Sequence, residues 1–322
     1  MERNHEMIKN FPSAKREFWE NILQQKESLE EIRIRADKPV LLRQREGEWY
    51  VDAKGRRTKE LGKAYRMSFV EVQELVDYWC KDSRYAFQKE LKNGYLTLRG
   101  GHRIGICGET VLDAQGKIQT VKNISSLNIR LAHECRQAAE KILPFLYEGE
   151  GLQNTLIISP PGAGKTTLLR DLVRRISDGN EVSEGKIVGL IDERGEIAAS
   201  FQGIPQLEVG LRTDVMDGCL KEEGMIRLLR SMGPQVIAID ELGNTKEIDA
   251  LLKMAGCGCS ILATVHGSGL EEIKKKKMFR ELWEQRIFER ILVLQRKKGE
   301  FCSFLYKAEE LANQSAQTAG GK

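Results

Sequence analysis

No apolar run in these 322 residues approaches the roughly 20 that a bilayer-spanning helix needs. The first residues, Met1-Glu-Arg-Asn-His-Glu-Met7, lack the apolar core of a secretory signal. Cysteine is sparse, with seven residues, an odd number, scattered singly. That pattern argues against a disulfide framework and fits a reducing cytosol. Metal-ligand spacing is missing as well. Cys257-Gly-Cys259 is a C-x-C, and His102/Cys107 and His133/Cys135 have no second matching pair, so no zinc site is expected. Neither charge sign dominates. The 51 Lys and Arg against 47 Asp and Glu leave +4, too little to argue a nucleic-acid partner, although the excess lies in the N-terminal half. What these absences leave is a soluble globular chain long enough for two domains.

The chain is organised around Thr155-Leu-Ile-Ile-Ser-Pro-Pro-Gly-Ala-Gly-Lys-Thr-Thr167. An apolar β-branched run stops at a Pro/Gly-rich turn, and a helix-period segment follows from Leu168. Strand, loop, helix is the context that makes a phosphate loop credible. Backbone N–H groups from Pro160, Pro161, Gly162, Ala163 and Gly164 onward, proline excepted, would converge on an anion at a helix N-terminus. Lys165 adds a charge for the β/γ-phosphates. Thr166 offers a hydroxyl to Mg2+, and Thr167 completes the loop. Ser159 stands where the usual motif has its first glycine. A position needing positive φ would prefer Gly there, so Ser reads as a tolerated variant.

Upstream, helical periodicity covers residues 12–29 and 69–88, with a further helix expected over 133–148. Glu31-Ile-Arg-Ile-Arg35 alternates strictly, setting Arg33 and Arg35 on one face and Ile32 and Ile34 on the other. Residues 94–131 are glycine-rich and β-like, with a tight bend at Gly100-Gly101 and Arg99, Arg103 and Arg130 inside otherwise apolar strands. Arginines so placed need anionic partners or solvent. Gly149-Glu-Gly151 marks a domain boundary, giving an N-terminal α+β domain over 1–148 and a phosphate-loop domain over 149–310. Residues 311–322 read as a disordered tail.

From residue 154 onward, strands alternate with helices, which implies α/β architecture and a mainly parallel sheet. Residues 201–224 read as loop and Lys274–Phe288 as one amphipathic helix with a solvated lysine face. The hairpin expected at the end joins 290–295 to 301–306. Four apolar runs end in polar groups: the phosphate loop, Asp192-Glu193-Arg194-Gly195-Glu196, Asp240-Glu241, and Thr264 with His266. In a parallel sheet such ends share one edge, where ligands bind. Asp240 can hold Mg2+ through water, and Glu241 can polarise an attacking water. Asn244-Thr-Lys-Glu247 has the wrong order for a guanine-reading motif, which argues against GTP.

Leu229-Arg-Ser-Met-Gly-Pro-Gln-Val-Ile-Ala-Ile-Asp-Glu241 and Ala263-Thr-Val-His-Gly267 resemble the Walker B and histidine boxes of secretion ATPases, the motors of type II and type IV secretion and pili. Ile191-Asp-Glu-Arg-Gly-Glu196 resembles their aspartate box. The blocks at 31–35, 94–108 and 125–130 look like the stage III sporulation AA branch of that superfamily. The resemblance spans about residues 12–308. It implies a RecA-like ATPase using ATP and Mg2+, assembled as a homo-hexamer. It further implies a mother-cell cytoplasmic location, docked on membrane channel components at the forespore during endospore formation. By motif, Glu241 would activate water, Glu196 would be the aspartate-box carboxylate and His266 the histidine-box sensor. Arg33, Arg35, Arg99, Arg103 and Arg130 would be the candidates for arginine fingers. One departure stands out. The Arg-Asp that ends G-E-x-R-D in many secretion ATPases is Gly243-Asn244 here, so contacts made by that pair do not transfer. Two other readings remain open from sequence: a nucleic-acid-stimulated translocase, and a nucleotide-switched adaptor with little turnover.

Overall fold

The computed structural model describes residues 7–24, 29–44, 46–81, 83–132, 136–297 and 300–308; the expected tail lies outside them. Contacts divide the chain into two compact units. The first comprises residues 1–133 with 199–206, the second 134–198 with 207–322.

The first unit is built on an antiparallel sheet. Its strands are β1 (Leu29–Arg35), β2 (Leu41–Gln44), β3 (Gly47–Val51), β4 (Arg57–Thr58), β5 (Tyr95–Thr97), β6 (Arg103–Leu112) and β7 (Ile118–Arg130), in the order β4-β3-β2-β1-β7-β6-β5. Alternation decides the faces. Ile32, Ile34, Ile104 and Ile129 are fully buried, which turns Arg33, Arg35, Arg103 and Arg130 to the opposite face. The helix Phe69–Trp79 packs on the apolar face through Val72, Leu75, Val76 and Trp79, at helical spacing. It starts at a capping box in which Ser68 Oγ accepts from the Glu71 N–H and the Glu71 carboxylate accepts from the Ser68 N–H, a device worth about 1 kcal/mol. Two helical expectations shorten. Over 12–29 the α-helix is Arg16–Leu23, and Leu29 already belongs to β1. Over 69–88 the helix stops at Trp79, followed by a 3-10 turn, Arg84–Phe87.

The second unit contains β8 (Tyr147–Glu148) and β9 (Gly151–Leu152), a small separate pair. Its main strands are β10 (Thr155–Ser159), β11 (Val188–Asp192), β12 (Thr213–Asp217), β13 (Val236–Ile239), β14 (Ser260–His266), β15 (Arg290–Lys297) and β16 (Glu300–Lys307). The sheet runs β12-β11-β13-β14-β10-β15-β16. All neighbours are parallel except β15 and β16, which form the expected hairpin. Consecutive residues serve opposite layers. Leu156 and Ile158 face a core with the helices Lys221–Ser231 and Thr245–Gly256. Ile157 faces a second core with the helix Lys165–Asp178. Burial on both sides explains why these strands read as unbroken apolar runs. β12 escaped the sequence reading because Thr213-Asp-Val-Met-Asp217 is an edge strand with little apolar signal.

The expected helix over 133–148 does not form; its described part holds a 3-10 turn, Leu143–Leu146, and then β8. Pro144 disfavours helical backbone before it. The segment packs into the second unit, where Ala139, Leu143 and Leu146 join the core of Leu169 and Leu172. The Ala139 N–H donates to the buried Asp171 carboxylate at 2.9 Å. The single helix expected over Lys274–Phe288 is broken as well. A helix Leu270–Lys275 ends at Lys276 with φ −72° and ψ 116°, then a 3-10 turn and a short helix, Arg280–Glu284, follow. Four adjacent lysines repel one another, while Phe279 and Leu282 pull the chain into the core.

Candidate functional site

Parallel pairing aligns the strand ends of the second unit. Ser159 pairs with His266, and Ile239 pairs with both Ala263 and Ile191. Asp240, Thr264 and Asp192 therefore sit one step beyond, on neighbouring strands, beside the phosphate loop.

The loop owes its shape to two glycines. Gly162 has φ 72° and Gly164 has φ 82°, a region where other residues are strained. A Cβ on Gly162 would meet nothing within 4 Å, so its backbone is open to a ligand. Gly164 is the residue before the helix Lys165–Asp178, whose first N–H groups have no intrahelical acceptor. Ser159 is not among the residues with positive φ. It is buried, its hydroxyl donates to the Pro160 carbonyl at 2.9 Å, and its own carbonyl accepts from Gly267. The backbone at that position makes no demand for glycine, so serine fits without strain.

Lys165 Nζ lies 3.5 Å from Asp240 Oδ1 and 3.3 Å from Glu241 Oε2. Asp240 is buried, and the Thr264 hydroxyl donates to it at 3.2 Å while accepting the Glu241 N–H at 3.0 Å. Glu241 itself has φ 41°. A left-handed glutamate costs on the order of 1–3 kcal/mol and persists only where neighbours over-determine it. Here Thr264 grips both the Glu241 N–H and, through its carbonyl, the Leu242 N–H. Burial alone would raise the Glu241 pKa; Lys165, then Arg194 with Nη1 3.8 Å away, then His266 outweigh it and hold the group below its ordinary value. Arg194 was not singled out as a site residue from sequence. Its only signal was a cation beside Glu196 in the aspartate-box block.

That block folds around a buried acid. The Asp192 carboxylate accepts the N–H groups of Glu196, Ile197 and Ala198, although desolvation, the strongest influence on it, keeps its pKa raised. Glu196 is exposed on this turn, and its carbonyl accepts from Arg170. A cation that the sequence reading missed holds the next carboxylate. Lys221, itself buried, pairs with Glu193 at 2.7 Å and Glu247 at 3.2 Å. Burial would lower its pKa, but the two carboxylates overcome that and hold it high. Asn244, at the position of the missing acidic residue, caps the helix Thr245–Gly256 by accepting the Glu247 N–H.

His266 is exposed at the end of β14, and its carbonyl accepts from Lys276 Nζ at 3.0 Å. Lys276 also pairs with Glu272, whose carboxylate accepts from the backbone and hydroxyl of Ser268. Those Ser268 bonds, then Lys276, push the Glu272 pKa down to about 2 from an ordinary value near 4.5. A depressed pKa means the stabilisation is present above about pH 4.5 and is lost as pH falls toward 2. A carbon-detected NMR titration of Glu272 should give a midpoint near 2; an ordinary glutamate midpoint would show that this network does not hold.

The five N-terminal arginines belong to the first unit. Arg33 pairs with Glu31 at 2.8 Å, and Arg130 lies 3.5 Å from the same acid. Arg103 pairs in register with Arg130 and stacks over Tyr95 at 3.7 Å. Arg35 is exposed on the same face of β1. Arg99 lies 6.0 Å from the ring of Phe201, in the segment 199–206 that belongs to this unit. Gln206 of that segment accepts the N–H of Gly100 at 2.9 Å.

Solved structures with this architecture include the Legionella pneumophila ATPase DotB, with a TM-score of 0.58 and 14% identity over 95% of this chain and 88% of that one. The pilus retraction motor PilT, solved with bound ADP, gives a TM-score of 0.61 and 13% identity over 91% and 87%. At such identities the likeness establishes the fold alone, a mixed α/β fold shared with those two proteins. Among curated proteins, the stage III sporulation protein AA of Bacillus subtilis (strain 168) is 41% identical over 271 residues, 84% of each chain. The protein SEEDLING PLASTID DEVELOPMENT 1 of Arabidopsis thaliana is 31% identical over 165 residues, 49% of this chain and 23% of that one. A family model described as sporulation stage III, protein AA, matches residues 1–306. The chain belongs to that family.

Proposed function

We propose that the chain hydrolyses ATP at the phosphate loop of its second unit. It acts as the subunit of a homo-hexameric motor, in the mother-cell cytoplasm, that energises or gates a membrane channel to the forespore. The observation that carries the reading is the Lys165 ammonium lying within 3.5 Å of both Asp240 and Glu241, at the mouth of a glycine loop that opens a helix. Charge for phosphate, a metal-binding acid and a carboxylate base meet in that one place. The names of the relatives, a sporulation protein, an ATPase and a motor, support the rest.

The residues fit ATP and Mg2+. The N–H groups from Gly162 to Thr167 and the Lys165 ammonium would hold the phosphates. Thr166, and Asp240 through water, are oxygen donors suited to Mg2+. That ion, when bound, offsets charge on the phosphate oxygens. Glu241 takes the proton of the attacking water. Its depressed pKa is set largely by Lys165. Once phosphate engages that ammonium, the pKa of Glu241 rises and it becomes a better base. Arg194, Glu196 and His266 supply further polar groups along this sheet edge. The finger role that the resemblance implies for Arg33, Arg35, Arg99, Arg103 and Arg130 remains part of this reading.

The test is Mg2+-dependent ATP turnover measured across protein concentration, with mass determined on the same samples. Turnover per subunit should rise as hexamer forms. A clean monomer with concentration-independent turnover rejects the ring. Turnover that needs nucleic acid and falls steeply with salt favours the translocase.

A further inference from the structure

A second concave site lies in the second unit, walled by the broken helix after β14 and by the start of β15. Its volume is about 560 Å³, within the range of ligand-binding clefts. The floor is apolar, formed by Trp283, Phe288 and Ile291. The rim is basic. Lys275, Lys277, Arg280, Arg286 and Lys307 line it, and none of the five makes an ion pair with another described residue. The acids present are mostly engaged already. Glu148 pairs with Arg290, and Glu289 accepts the Asn154 N–H, which leaves Glu284.

The Trp283 indole adds the decisive detail. Its N–H is buried and has no hydrogen-bond partner among the described residues, and the residue lines the cleft. A buried donor without an acceptor is destabilising. The nitrogen is covered in this structure, so an oxygen of an occupant reaches it only with a turn of the ring. Concavity and an aromatic floor suit a side chain better than a flat sheet of lipid headgroups. The solvated lysine face expected from sequence is therefore the rim of a pocket.

We propose that this cleft docks an acidic peptide segment of a partner protein, with Asp or Glu side chains on the basic rim and an aliphatic or aromatic residue over Trp283 and Phe288. The five rim cations meet the carboxylates at exposed sites, so binding weakens as salt rises. Lys276, which also lines the cleft, donates to the carbonyl of His266 and so ties this turn to the end of β14.

The test uses the full chain and a fluorescein-labelled 12-residue peptide of alternating Glu and Leu, followed by fluorescence anisotropy. Saturable binding is expected. The corresponding Gln-Leu peptide should bind at least 10-fold more weakly. The variant Lys275→Glu/Lys277→Glu/Arg280→Glu, all exposed positions, should also lose at least 10-fold, with its circular dichroism unchanged. Trp283→Phe, which keeps an aromatic floor and removes the N–H, should weaken binding severalfold. Equal binding by native and charge-reversed chains would overturn the proposal. So would saturable binding to phosphatidylglycerol vesicles without any to the Glu-Leu peptide. The assay contains no nucleotide, so its outcome is independent of whether the chain hydrolyses ATP.

Discussion

Replacing Glu241 with glutamine is expected to cut ATP hydrolysis by about 10²–10⁴-fold, the usual contribution of a positioned general base. Binding of ATP should survive. Glutamine keeps the shape of the side chain and removes only its charge. Lys165 keeps its second partner, Asp240, at 3.5 Å, so the ammonium stays at the mouth of the loop. Removing a carboxylate from beside the phosphates also removes a repulsion. Folding should be little affected, because the Glu241 side chain is 38% exposed and the Thr264 bond to it uses the backbone N–H. The expected signature is thus a split: phosphate release collapses while equilibrium ATP affinity stays within a few fold. Unchanged release would remove Glu241 as the base.

Replacing Asp171 with alanine is expected to destabilise the second unit by about 3–5 kcal/mol, as when one partner of a buried pair is removed. The Asp171 side chain is fully buried. It accepts the Ala139 N–H at 2.9 Å and pairs with Arg174 at 2.6 Å and Arg175 at 3.3 Å. Both arginines also donate to the Arg136 carbonyl. Alanine leaves a buried N–H unsatisfied and two guanidinium groups without their shared anion. Asparagine keeps an acceptor for the Ala139 N–H, so its loss should be smaller. Urea denaturation checks the order native, Asn, Ala. An alanine variant within 1 kcal/mol of native would show that the segment beginning at residue 136 is held by its apolar contacts alone.

The parts of this molecule that were legible in sequence are those where one local rule decides. Two-sided burial makes β10, β11, β13 and β14 continuous apolar runs, and their polar ends marked the sheet edge. Alternation in β1 placed Arg33 and Arg35 correctly against Ile32 and Ile34. What sequence obscured depends on partners far along the chain. Residues 136–148 have enough apolar spacing for a helix, but Pro144 and the pull of Asp171 give them another shape. β12 is an edge strand whose pairing with β11 overrides weak propensity. Lys221 fell in the stretch read as loop, yet Glu193 and Glu247 hold it in the interior. The strain at Glu241 was invisible, since φ 41° follows from the grip of Thr264, 23 residues away. Ser159 read as a tolerated variant of the loop, and the reason, a backbone without positive φ, was not legible in sequence.

Single turnover tests the central claim most directly. The native chain and Glu241→Gln would each be mixed with Mg2+ and limiting ATP, and bound nucleotide and released phosphate followed together. The native chain should release phosphate and retain ADP, whereas the variant should hold ATP uncleaved. A native chain that binds ATP without cleaving it, or a variant that cleaves it at the native rate, would contradict the account.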